Sequence, residues 1–290
     1  MAHLAVIAVT GASGGLGSRV LRALRARADS PPLVALARHP DAVRGAGMDV
    51  RRADYDDPGS LRDGLAGVST LVFISSDGVA ESVERHHRNV VAAAVEAGVD
   101  HVVYTSIVDV DPDSRFYYAS GHRETEELLA AAGVDRCLAR TSIFADYFLE
   151  AWIAPALSTG VLALPAGKGR MSLVTRDDVA GVLAVAAASR HRGTIEITGP
   201  AALTGEEIAR IAAAQIGRPL RYLALDDAAY RRKLADEGAR DWLIEAYASM
   251  FRSVRQGRFA RVSTDGPELT GRPQRTFADF LRDRPSRVAP

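Results

Sequence analysis

Over the first half of the chain, apolar runs alternate with amphipathic stretches. The run LAVIAVTG, which starts at Leu4, has no polar side chain on either face until Thr10, the pattern of a strand covered on both sides. SRVLRALRAR follows, with Val20, Leu21 and Leu24 on one face and arginines on the other, and predicts an amphipathic helix. The same reading gives strands at PLVALAR, VRRADY, STLVFISS, DHVVYTSI and DRCLART. Between them, GSLRDGLAG is a brief helix, SVERHHRNVVAAAVEAG a helix closed by Gly98, and ETEELLAAAG a helix ending at Gly133. This alternation predicts an α/β fold: a doubly wound parallel sheet of the Rossmann type with helices on both faces.

Beyond about residue 150 the rhythm changes. The stretch from Trp152 to Ser189 reads as turns, a short strand pair and one helix, with Asp177 or Asp178 as its N-cap. GTIEITG reads as a further strand of the sheet. LTGEEIARIAAAQIG opens with Thr204-x-x-Glu207, a capping box. RPLRYLAL, two further helices and a polar tail follow. The predicted organisation is a nucleotide-binding domain over 1–150, to which 172–199 return. A smaller α/β lobe over 151–171 and 200–285 forms the other wall of a substrate cleft. Trp242, Tyr247, Met250 and Phe251 recur at helical spacing, which is first of all a core stripe. Any of them facing the cleft would imply a large, flat, apolar substrate.

Composition narrows the class. The 290 residues are 47% apolar, enough for a sizeable core, and 36 basic side chains balance 36 acidic ones. Without a net field, neither nucleic acid nor an anionic membrane is an expected partner. The single cysteine, Cys137, excludes an internal disulfide and lies in an apolar run that predicts a buried thiol. A cytoplasmic protein is expected. The first residues run directly into a glycine loop without the features of a signal peptide. No apolar run reaches the roughly 20 residues of a membrane helix. The seven histidines form no H-x-x-x-H pair, so no metal site is expected. His86 and His87 are adjacent, about 100° apart on a helix, so one should face the sheet and the other solvent.

VTGASGGLGSRV joins the first strand to the first helix. Gly11, Gly14 and Gly17 permit positive φ, close approach of backbone to a pyrophosphate, and tight helix-on-sheet packing. The N-terminal N–H groups and dipole of the helix then favour the phosphates. NAD-binding folds place a carboxylate at the end of the second strand. Here that strand ends Ala35-Leu36-Ala37-Arg38, and Arg38 suits a 2′-phosphate, so NADP(H) is the expected cofactor. Asp54, after the third strand, is a candidate for the adenine, or a turn aspartate.

The segments TGASGGLG, RRADYDDPGSLRDGLAGV, LVFISS, HRNVVAAAVEAGV, YTS and HRETEELL occur in this order, followed by GKGRMSLVTRDDVA and LTGRPQRTFADF. Together they resemble the NmrA-like group of atypical short-chain dehydrogenases, and within it the NADPH-dependent quinone oxidoreductase and triphenylmethane reductase subgroup. The resemblance implies that Ser13, Gly14, Gly15 and Leu16 wrap the pyrophosphate and that Arg38 meets the 2′-phosphate. It implies that Ser75 and Ser76 border the nicotinamide ribose, and that Thr105 and Ser106 face the nicotinamide. His122 stands where related reductases often carry lysine, and implies contact with ribose or acceptor. Arg140, Thr141, Ser142, Ile143 and Phe144 match a segment that lines the nicotinamide and substrate pocket; the subgroup has asparagine at the position of Thr141.

Tyr118 precedes His122 by four residues, so a helix over both would put them on one face, as a proton donor and its partner. Gly121 lies between them and costs a helix about 1 kcal/mol relative to alanine, so the helix is expected to start after it. Tyr118 is therefore first a wall residue and second a catalytic acid. His122 is a candidate for stabilising an oxyanion. A site without a strong acid suits quinones, whose reduced form spreads its charge over a ring, better than simple ketones. The expected function is flavin-free, NADPH-dependent reduction of a quinone or similar conjugated acceptor. Two alternatives stand beside it: a biosynthetic ketone or enone reductase using Tyr118 as acid, and a catalytically silent NADP(H) sensor. A homodimer stays open.

Overall fold

The computed structural model describes residues 5–43 and 47–283; the expected strand start at Leu4 and the polar tail from 284 lie outside these. In chain order the first half contains β1 (Ile7–Val9), α1 (Gly17–Arg25), β2 (Leu33–Ala37), β3 (Asp49–Arg52), α2 (Pro58–Gly64), β4 (Thr70–Phe73), α3 (Ala80–Glu96), β5 (His101–Ile107), α4 (Ala119–Ala131) and β6 (Asp135–Thr141). A broken helix follows: α5 (Ala145–Phe148), a π-helical turn (Leu149–Ile153) and α6 (Ala154–Ala156). Then come β7 (Val161–Leu164), β8 (Arg170–Met171), α7 (Arg176–Ala188), β9 (Gly193–Ile197), β10 (Leu203–Thr204), α8 (Gly205–Ile216) and β11 (Arg221–Ala224). The helices α9 (Asp227–Asp236), α10 (Asp241–Arg255), α11 (Asp265–Thr270) and α12 (Phe277–Arg282) complete the described chain.

Seven strands form one sheet in the order β3-β2-β1-β4-β5-β6-β9, every pair parallel. Strand alternation divides its side chains between two cores. Ile7, Val9, Ala35, Val72 and Val103 pack with Val20, Leu24, Val179 and Leu183 of α1 and α7. Ala8, Val34, Leu36, Leu71, Phe73 and Tyr104 pack on the opposite face with Leu61, Val90 and Leu129 of α2, α3 and α4. Both faces are covered, which is why the strands read as nearly continuous apolar runs. A third core gathers Phe148, Trp152, Leu162, Ile208, Tyr230, Phe251, Phe277 and Phe280. It sits under β7, which pairs in parallel with β11, and under β8, which pairs antiparallel with β10.

Several local expectations need correction. The predicted strand pair of the 152–189 stretch is not a pair, because β7 and β8 each bond to a later strand. Among the described residues four helices, not two, follow β11. The N-cap of α7 is Thr175, whose hydroxyl accepts the Asp178 N–H at 3.0 Å, so Asp177 and Asp178 occupy the first turn. α4 begins at Ala119 and contains Gly121. A Cβ at Gly121 would meet Glu84 Cγ at 3.3 Å, so close packing against α3 outweighs the helix cost of glycine there. The capping box at Thr204 and Glu207 is present, with both reciprocal bonds, and α8 ends at Gly217 with φ 73°.

Candidate active site

The strand order reverses between β1 and β4, and a cleft of about 690 Å³ opens there over the C-terminal ends of the strands. At one end it is lined by Gly11, Ser13, Gly14, Gly15, Leu16, Gly17, Arg38, His39 and Asp54. Ser75, Ser76, Thr105, Ser106 and Thr141 line the middle. Phe116, Tyr118, Tyr147, Trp242, Tyr247 and Met250 wall the far end.

The glycine end fits a dinucleotide pyrophosphate. Gly11 has φ +59°, which L side chains rarely adopt. A Cβ at Gly17 would lie 2.3 Å from the Gly11 carbonyl oxygen, so the loop closes on the start of α1 only with glycine there. α1 has no capping side chain and no acid in its first turn, which leaves its positive end to an anion. Arg38 and His39 follow β2 and are exposed at the rim. Asp54 also lines the cleft, but Oδ1 accepts the Asp56 N–H at 3.2 Å and Arg52 lies 3.8 Å from Oδ2, the bonding of a turn aspartate.

Of the adjacent His86 and His87, one is expected on the sheet and the other in solvent. The structure turns His87 to the sheet, where it is 1% exposed, and brings His86 to the cleft wall. His86 Nδ1 lies 3.2 Å from Ser76 Oγ and Nε2 3.1 Å from Asp56 Oδ1. Arg85 donates twice to the same Asp56 oxygen, at 2.8 and 3.2 Å, and, ahead of His86, holds that carboxyl below its ordinary range.

Behind Ser76 lies a buried polar network. The Ser76 N–H donates to His87 Nε2 at 3.1 Å, so the proton of neutral His87 sits on Nδ1. That nitrogen is 2.9 Å from Thr125 Oγ1, whose own hydrogen goes to the Gly121 carbonyl at 2.7 Å. The Tyr104 hydroxyl, 3.3 Å from His87 Nδ1, then donates to His122 Nδ1 at 2.7 Å and places the His122 proton on Nε2. Burial pushes the His87 imidazolium down to about 3, with the neighbouring His122 and His86 adding to it, and burial pushes His122 down to about 4. Both imidazoles are neutral throughout the working pH range.

His122 is 5% exposed and belongs to this network rather than to the cleft lining. It is not a surface histidine, because the first turn of α4 presents it to Tyr104. Tyr118 precedes the first residue of α4, without a capping side-chain bond, and does line the cleft. Its hydroxyl donates to the Gly78 carbonyl at 3.0 Å, and burial pushes its pKa up to about 12. The His122 N–H donates to the Tyr118 carbonyl at 3.1 Å as part of the helix, but among the described residues no hydrogen bond joins the two side chains, so the sequence spacing does not make a proton-donor pair. Arg140, Ser142 and Ile143 also stand behind the lining. β6 alternation turns Arg140 to Glu126, Nη2 to Oε2 at 2.6 Å, and leaves Thr141 on the cleft side. Ser142 accepts from the Ser172 hydroxyl at 3.0 Å, and Ile143 enters the third core. The middle wall is largely committed as well: Ser106 Oγ donates to Glu126 at 2.6 Å, Thr105 Oγ1 accepts the Ser75 N–H at 2.7 Å, and Thr141 Oγ1 donates to the Ser106 carbonyl at 3.0 Å.

A family model for NmrA-like proteins matches residues 4–261. The chain belongs to the NmrA-like family. It is 34% identical over 282 residues to quinone oxidoreductase 2 of Escherichia coli (strain K12), covering 95% of this chain and 97% of that one. It is 33% identical over 290 residues to the (4-alkanoyl-5-oxo-2,5-dihydrofuran-3-yl)methyl phosphate reductase of Streptomyces griseus subsp. griseus, covering 98% and 100%. The solved NADPH-dependent quinone oxidoreductase of Escherichia coli, complexed with NADPH, superposes with a TM-score of 0.89 at 32% identity, over 96% of this chain and 99% of that one.

This NmrA-like chain also brings to the cleft Tyr55 and Tyr147, which its sequence did not single out, and part of the α10 stripe, which it did. Tyr55 donates to the Ile74 carbonyl at 2.7 Å and stands beside Asp54 and Asp56. Tyr147 and Tyr247 share a short hydroxyl contact at the mouth of the aromatic end. Trp242, Tyr247 and Met250 of the α10 stripe face the cleft, while Phe251 is fully buried in the third core. α5 and α10 meet at the cleft from positions 100 residues apart in the chain, and no local pattern encodes that. Among the described residues no helix is long and apolar enough to cross a membrane, and no group of three or more His, Cys, Asp or Glu could hold a metal ion.

Proposed function

We propose that this chain is an NADPH-dependent oxidoreductase that reduces quinones or closely similar conjugated acceptors without flavin. The observation that carries this reading is one continuous cleft that joins a glycine cradle and a rim arginine to an aromatic wall. Gly11 to Gly17 would hold the pyrophosphate, and Arg38 with His39 the 2′-phosphate. NADPH, when bound, supplies a hydride equivalent. Ser75, Ser76, Thr105 and Thr141 border the position between the two ends, and Phe116, Tyr118, Tyr147, Trp242, Tyr247 and Met250 would sandwich a flat acceptor and keep water out.

The acceptor end has no tuned proton donor. The Tyr118 hydroxyl already donates to a backbone carbonyl, its pKa is raised and not lowered, and no lysine lines the cleft. A ketone would leave a basic alkoxide that needs a placed acid. A reduced quinone leaves a charge delocalised over an aromatic ring, for which water suffices. The two curated relatives support this. One is named for quinones; the other is named for a substrate whose ring double bond is conjugated to carbonyl groups. The test is NADPH consumption by purified protein without added flavin, against quinones, conjugated enones and simple ketones, each corrected for the protein-free rate. Turnover confined to conjugated acceptors is expected. Turnover confined to ketones overturns the reading, and tight NADPH binding with no turnover on any acceptor points to a sensor.

A further inference from the structure

The glycine loop is not the only wall at the dinucleotide end. Arg176, the first residue of α7, lies over Gly15: a Cβ there would meet Arg176 Nη1 at 3.5 Å and Cζ at 3.6 Å. Its placement is built. Asp146 Oδ2, on a side chain with no exposure, accepts the Arg176 N–H at 2.8 Å. The Ala145 N–H donates to the Val174 carbonyl at 2.8 Å, and the Val174 N–H to the Ile143 carbonyl at 3.0 Å, which ties the chain after β6 to the start of α7. Arg19 of α1 donates to the Gly15 carbonyl and, at 2.8 Å, to Asp177, which ties both to the loop. The guanidinium stacks over the Phe144 ring, 5.6 Å from its centre, and Glu150 Oε2 stands 3.8 Å from Nη1. Glu150 is 45% exposed, so solvent screens its pull on the guanidinium and phosphate oxygens can displace it.

We propose that Arg176 is a second anion clamp for the dinucleotide, closing on the pyrophosphate from the α7 side while the glycine loop holds it from the α1 side. This rests on the reading of the cleft as an NADP(H) site. A pyrophosphate carries more charge than the partial charges of loop N–H groups balance, and a guanidinium presented on an aromatic face is a weakly hydrated, forked donor suited to it. Glu150 is then a gate: it holds the guanidinium until phosphate oxygens replace it.

The test reads binding, not turnover, by titration with NADPH and with 2′-phosphoadenosine, which lacks the pyrophosphate. Arg176→Met keeps the stem over Phe144; it should weaken NADPH about tenfold or more and leave 2′-phosphoadenosine unchanged. Arg38→Met should weaken both. Glu150→Gln should tighten NADPH by roughly two- to fivefold. NADPH binding by Arg176→Met at the wild-type affinity overturns the proposal. Equal loss of both ligands also overturns it, since Arg176 would then only support the loop. If Arg176→Met does not fold by circular dichroism, Glu150→Gln decides, and unchanged or weaker NADPH binding there is the negative result. A wild-type protein that binds neither ligand removes the NADP(H) reading itself, and with it this one.

Discussion

The two ends of the cleft are built from different materials. The dinucleotide end is mostly backbone: glycines at Gly11, Gly14 and Gly17, an uncapped helix start, and arginines at the rim. The acceptor end is mostly side chain, with aromatic rings contributed by the chain before α4, by α5 and by α10. Backbone geometry is unforgiving, because a single Cβ is either accommodated or not. An aromatic wall is graded, because rings slide and rotamers change. On the proposed reading, the first end would fix a single class of ligand, while the second would select by shape. Relatives at 34% and 33% identity named for a quinone and for a furanone phosphate fit that division.

Gly17→Val should show the sharpest contrast. Its Cβ would sit 2.3 Å from the Gly11 carbonyl, well inside contact distance, so either the loop opens or the helix start moves. NADPH affinity should fall by more than about 100-fold, with a loss of about 2–3 kcal/mol in stability from overpacking. Fluorescence titration and thermal unfolding read the two effects. A Gly17→Val protein that binds NADPH at nearly the wild-type affinity would end the case for a backbone-built cradle.

The same division decides what was legible in sequence. The glycine loop is a local signal contained in one strand-loop-helix junction, and Arg38 is another, at the end of β2. The parallel sheet was equally legible, because each buried strand carries its own apolar run. His86 and Arg176 were not. Each reaches the cleft through tertiary packing that no window of residues contains: His86 lies on α3, which follows β4, the strand beside β1, and Arg176 starts α7, which packs on α1. His122 misled for the opposite reason. Its position in the resemblance pointed to the cleft, whereas the first turn of α4 lies against Tyr104 and buries it. The Trp242, Tyr247, Met250 and Phe251 stripe split between wall and core, a division that helical spacing cannot make.

Between the two ends, the His87–Tyr104–His122 network fixes the chain at Ser76, and it makes an intermediate prediction. Burial lowers His122 to about 4 and His87 to about 3 from an ordinary value of 6.5. The unfolded chain takes up protons below about pH 6.5 that the native protein refuses until those lower values are reached. Stability should therefore be level above about pH 6.5 and fall as pH drops toward 4, by up to about 1.4 kcal/mol per pH unit for each histidine. Urea unfolding at pH 7.0, 5.5 and 4.5 measures the slope. His122→Gln keeps an acceptor for the Tyr104 hydroxyl without titrating, and should flatten the slope by about half. An unchanged slope in that variant would mean that other groups carry the acid sensitivity.

The smallest effect should come from Tyr118→Phe, and its smallness is informative. Removing the hydroxyl leaves the Gly78 carbonyl without its 3.0 Å donor in a partly buried place, a cost of about 1 kcal/mol or less to local order. If the acceptor end works by shape, the ring itself remains against Phe116 and Tyr117, so kcat for a quinone should stay within about threefold and KM should shift by a similar factor. If Tyr118 is the proton donor, kcat should fall by about 100-fold or more while NADPH affinity is untouched, because general-acid catalysis is expressed in the transition state and not in cofactor binding. The raised pKa and the hydrogen already given to Gly78 argue for the first outcome, since a donor so engaged must break that bond before it can protonate an acceptor. The pH profile of kcat separates the cases further: a shape-selected quinone site has no reason to lose activity as pH approaches 9, whereas a tyrosine acid does so only when its own ionisation has been brought down into that range.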